Sequence, residues 1–98
     1  MLNYLMDLNI TPEDIKLIND SLSKNTLTSL ELSRSVVIET LNYYKSLGIK
    51  DLTNIIVKRP DLVLIKKEDI EQSISKVNKE LIINIFNNDI DDLILFGI

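Results

Sequence analysis

Apolar residues recur along this chain at helical rather than strand spacing. Ile70, Ile74, Val77, Leu81 and Ile85 follow one another at steps of three and four, with Glu71, Ser75, Asn78 and Lys79 on the opposite side. That stripe predicts an amphipathic helix over residues 68–87, its apolar face widened near the end by Ile82, Ile83 and Phe86. Residues 29–47 carry two stripes, Leu30, Val37, Leu41 and Tyr44 on one and Leu32, Val36, Tyr43 and Leu47 on the other. A helix apolar on two faces is one packed between neighbours.

Local signals set the expected boundaries. Thr11, Pro12, Glu13 and Asp14 open a helix over 12–22: a hydroxyl cap, a proline at the first turn, then acids at the positive end of the dipole. Residues 23–26 show no apolar periodicity and are expected to form a turn. Thr28 and Glu31 have the spacing of a capping box in front of the 29–47 helix, and Gly48 supplies its left-handed end. Asp51 starts a short helix over 51–58, which Pro60 stops. The run Asp61-Leu62-Val63-Leu64-Ile65 has the composition of a buried strand but no strand to pair with, so an irregular or 3₁₀ turn plugging the core is expected. Residues 89–96 are expected to form a short terminal helix.

An acid-led segment recurs three times: Asp14-Ile15-Lys16-Leu17-Ile18, Asp51-Leu52-Thr53-Asn54-Ile55-Ile56 and Asp89-Ile90-Asp91-Asp92-Leu93-Ile94. The spacings are 37 and 38 residues. A near-constant offset of this size is typical of stacked helical units, each too small to bury its own apolar face. The expected units are residues 8–47, 48–87 and a truncated 88–98. The long helices also align at an offset of 40, Leu30 with Ile70, Val37 with Val77 and Leu41 with Leu81.

The stretch Tyr43-Tyr44-Lys45-Ser46-Leu47-Gly48-Ile49, Asp51-Leu52, Ile55-Ile56 and Lys58-Arg59-Pro60-Asp61-Leu62 resembles the repeat of the mitochondrial transcription termination factor (mTERF) family. The shared points are a Leu-Gly-Ile end to a long helix, an acid-led short helix, and a basic residue before a Pro that Leu follows. The resemblance covers one unit, a quarter to a third of the chain, and the unit from Asp14 lacks the Pro. It implies an all-α fold of helical units stacked in a left-handed superhelix, four main helices here plus a short C-terminal one. It also implies nucleic-acid binding along a basic surface.

Composition narrows the chemistry. In 98 residues there is room for one domain, and its core must be aliphatic, because 16 Leu and 16 Ile stand beside no Ala, no Trp and five aromatic residues. With no Cys and no His, thiolate chemistry, disulfides, imidazole metal sites and the usual neutral-pH base are all excluded. Residues 1–8 lack the basic and small-residue features of a secretory signal, and no uncharged apolar run reaches membrane-spanning length. A cytoplasmic protein without membrane, metal or cofactor is expected.

Net charge is −4, but it is unevenly spread. Lys45, Lys50, Lys58, Arg59, Lys66 and Lys67 face only Asp51 and Asp61 within residues 45–67, a local +4 that is the candidate nucleic-acid surface. The bland reading of the same residues is a solvated rim around Leu62 to Ile65. Asp89, Asp91 and Asp92 fail as a calcium loop, since Ile94 stands where Gly is needed, and they suit a helix start instead. Ser21 and Lys24 have the Ser-x-x-Lys spacing of acyl enzymes without the companion motifs. No enzyme is expected.

The strongest functional signal is the apolar end, where Leu93, Leu95, Phe96 and Ile98 are candidate interface residues. Either this segment folds back on the preceding helix or it docks on another chain. The expected function is a helical binding module acting on a protein partner or on itself as a homodimer. Nucleic-acid binding through the basic patch is the second reading, and inhibition of a host protein by an acidic surface a third.

Overall fold

In a computed structural model spanning Met1–Ile98 the chain is entirely helical. A 3₁₀ helix, Asn3–Leu8, precedes seven α-helices: α1 (Pro12–Ser21), α2 (Lys24–Leu32), α3 (Arg34–Ser46), α4 (Leu52–Lys58), α5 (Asp61–Leu64), α6 (Lys67–Ser75) and α7 (Lys79–Asn88). A second 3₁₀ helix, Ile90–Phe96, closes the chain. No helix is long and apolar enough to cross a membrane.

Helix α1 starts as expected, the Thr11 hydroxyl accepting from the Asp14 amide at 3.1 Å. The expected turn at 23–26 is instead the start of α2, because Ser23 caps it by accepting from the Thr26 amide at 3.2 Å. Thr28 is therefore not a cap. It lies inside α2 and donates to the Lys24 carbonyl.

Both long helices are interrupted. Ser33, at φ −102° and ψ 27°, breaks the first into α2 and α3 without a side-chain cap. Asn78 breaks the second: its extended backbone and a side-chain bond from the Leu81 amide (3.0 Å) start a new helix. The change of axis changes the buried face. Ile70 and Ile74 are buried before the break and Ile82 and Phe86 after it, while Leu81, which continues the old stripe, is 44% exposed. The offset of 40 thus pairs buried Leu41 with exposed Leu81.

Helix α3 is the centre of the fold, packed against the N-terminal 3₁₀ helix, α2, α4, α5 and α6. Its expected inner stripe is buried throughout: Val37, Leu41 and Tyr44, continuing Leu30 of α2. The second stripe is only half-buried at Val36, Tyr43 and Leu47, and Leu32 is 82% exposed. Pro60 ends α4 and begins α5, a short α-helix in place of the expected irregular or 3₁₀ turn, whose Leu62 and Val63 plug the core as expected. Two polar groups of α3 hold the plug: Tyr44 donates to the Leu62 carbonyl and Thr40 to that of Ile65. The Tyr44 and Phe86 rings, 5.1 Å apart, are the aromatic part of an otherwise aliphatic core.

Elements far apart in sequence lie side by side in two rows. Helix α1 packs on α4 and α4 on the C-terminal 3₁₀ helix; the N-terminal 3₁₀ helix packs on α3 and α3 on α6. Hydrogen bonds also join residues 37 or 39 positions apart: Thr53 of α4 to Asp14 of α1, the Lys50 amide and the Gly48 carbonyl of the α3–α4 connection to Asn87 of α7, and Arg59 to Ile98. Asn9 (φ 63°) and Gly48 (φ 93°), both left-handed, each end a helix before an Ile whose amide bonds the carbonyl five residues back. Gly97 and Ile98 repeat this ending. The three acids differ in place: Asp51 caps α4 with its side chain, Asp14 lies within the first turn of α1, and Asp89 makes no side-chain cap.

Candidate docking surface

The C-terminal 3₁₀ helix follows from its period. Residues three apart eclipse in such a helix, so Ile90 and Leu93 share one line and are buried against α7 and α4, with Phe96 at the end of the line and 37% exposed. Ile94 and Leu95 fall off that line and are 71% and 77% exposed. Of the expected interface residues, Leu95 and Phe96 are thus open, Ile98 is half-buried, and Leu93 is a core residue with no exposed surface. Ile94, not among the expected four, is part of the open face. An α-helical period conceals this arrangement, and the three-residue spacing of Ile90, Leu93 and Phe96 is the signal that reveals it.

Arg59 ties this end to the body. Its guanidinium donates to both Asp61 oxygens, at 3.0 and 2.9 Å, and to the main-chain oxygen of Ile98 at 2.7 Å. The bidentate bond from Arg59 holds the Asp61 carboxyl below its usual range and raises the Arg59 guanidinium in return.

The remaining basic residues are distributed over separate grooves. Lys45 and Lys50 border one with Asp14 and Asp51. Lys58 faces Asp89, Asp91 and Asp92 across another. Lys67 lies with Lys79, Glu39 and Glu71 around a wide polar groove of about 530 Å³ between α3 and the α6–α7 pair. Lys66 is exposed just before α6. Every one of these grooves mixes cations with carboxylates.

At the other end, Tyr4 donates to the Leu30 carbonyl at 2.7 Å under the Arg34 guanidinium, 5.5 Å from its ring. Burial, with the charge of Glu31 beside it, pushes the Tyr4 hydroxyl up to about 12. Ser21 ends α1 and Lys24 starts α2, both exposed and not bonded to each other. No three carboxylates converge as a metal site would need. Compared with known proteins, the chain matches no protein-family model, no curated protein and no solved structure.

Proposed function

We propose that this chain is a non-enzymatic helical docking module whose working surface is the outer side of its C-terminal 3₁₀ helix. One observation carries the reading: Ile94, Leu95 and Phe96 are consecutive, large, apolar and exposed, on a helix whose inner side is already anchored in the core. A rigid apolar ridge of this kind loses little conformational freedom on binding. In architecture the chain is a stack of mTERF-like units with a period near 38. The left-handed Asn9 and Gly48 and the hydrogen bonds between residues 39 positions apart support that period. In enzymatic terms the chain has neither His nor Cys to offer.

The test is a photo-crosslinking amino acid at position 95, with one at exposed Leu32 as control, in a native lysate and on the purified chain. A discrete adduct from position 95 alone is expected. Absence of any adduct there, with a monomer by light scattering at high concentration, overturns the proposal. The competing nucleic-acid reading predicts binding in a gel shift that weakens steeply with salt and is lost when Lys58 and Lys66 become Glu. The tie of Arg59 to Asp61 and Ile98 and the carboxylates beside the lysines favour the protein reading.

A further inference from the structure

Resting on the docking reading above, the identity of the occupant follows from what lies beneath the exposed ridge. In a helix of three residues per turn, Asp91 stacks under Ile94 and Asp92 under Leu95. Both acids are exposed, and neither they nor Asp89 form an ion pair. Ile94 and Leu95 therefore each stand one turn from an exposed carboxylate that is in no ion pair.

The chain itself shows how this helix is covered. Its inner side meets α4, a short helix with Ile55 and Ile56 buried and Lys58 set across a groove from Asp89, Asp91 and Asp92. Arg59 reaches the chain just beyond the other end of the helix through the Ile98 oxygen. The cover is aliphatic on one face and basic at its edge.

A second copy fits poorly. A two-fold contact sets the same patch on both sides, so packing Ile94 and Leu95 against their copies puts Asp91 and Asp92 of both chains at the rim of one contact to which residues 89–98 bring no Lys or Arg, on molecules that each carry −4. Like charges at the edge of an apolar contact select against it. We infer that the ridge of Ile94 and Leu95 over Asp91 and Asp92 takes a basic amphipathic helix of another protein: an aliphatic stripe on the ridge, with Lys or Arg reaching the two acids.

Two synthetic helices with one Leu/Ile stripe, flanked by Lys in the first and by Glu in the second, test this against the full chain by fluorescence anisotropy. The Lys peptide is expected to bind at least about tenfold more tightly at ~0.1 M salt. Ile94→Ser with Leu95→Ser should abolish that binding, and Asp91→Asn with Asp92→Asn should bring the two peptides close to parity, both variants keeping the helical circular dichroism of the parent. Equal binding of the two peptides overturns the inference, as does Lys-peptide binding that survives the serine pair, which is mere charge attraction. A homodimer dissolved by the serine pair also overturns it while leaving the docking reading intact. No adduct at position 95 defeats the docking reading itself.

Discussion

Leu93 and Leu95 are the same residue type two positions apart, yet one is 0% and the other 77% exposed. Replacing each by Ala measures what the 3₁₀ geometry does. Leu93→Ala removes three carbons from a closed site, about 2.4 kcal/mol of transfer energy at ~0.8 kcal/mol per methylene. The cavity left between α4, α7 and the C-terminal helix raises the cost, for an expected total of about 3 kcal/mol. A domain of this size is stable by about 5–15 kcal/mol, so the loss is severe. Leu95→Ala removes the same atoms from water and should change stability by no more than about 0.5 kcal/mol. Urea unfolding followed by far-ultraviolet circular dichroism is the assay. With an m-value of about 1.5 kcal/mol/M, the Leu93→Ala midpoint should fall by about 2 M and that of Leu95→Ala should move by no more than about 0.3 M. Equal shifts, or a larger one for Leu95→Ala, would refute the assignment of Leu93 to the core and of Leu95 to the docking ridge.

Asn78→Ala should cost about 1 kcal/mol by removing the cap of α7; an unchanged urea midpoint would mean that α6 and α7 need no cap at their junction. The tyrosines set the alkaline limit. Tyr4 is pushed up to about 12 and Tyr44 further, both chiefly by burial. The folded state then holds protons that the unfolded chain releases from about pH 10, so stability is intact below that pH and falls as pH rises toward and through the folded values. The urea midpoint should decline above about pH 10, less steeply in Tyr44→Phe than in the parent after allowing for the variant's lower starting stability; a flat profile would contradict the burial of these hydroxyls.

Much of the fold was legible in the residues. Thr11-Pro12, Asp51, Gly48 and Pro60 act within a few residues of themselves, so their caps and stops survive any tertiary context. The inner stripe of α3 was legible for a related reason: Val37, Leu41 and Tyr44, at helical spacing, have one face to bury. What failed were the breaks. Ser23, Ser33 and Asn78 are each compatible with a turn, a cap or a helix interior, and only packing selects among these. Once Asn78 bends the chain, the 68–87 stripe ends, and Ile82 and Phe86 take over the inward side. The candidate site was half legible. Its apolar composition was plain, but which of its residues face out depends on a 3₁₀ rather than an α period.

By itself the sequence determined an all-helical chain with an aliphatic core, local helix starts and stops, and no thiol or imidazole chemistry, because composition and capping act locally. The tertiary structure alone decided where the long helices break, that Leu93 is core while Ile94 and Leu95 are not, and that Arg59 is tied to Asp61 and Ile98. Those outcomes depend on which surfaces meet in the folded chain, and the free energy of such contacts is not carried by any single segment.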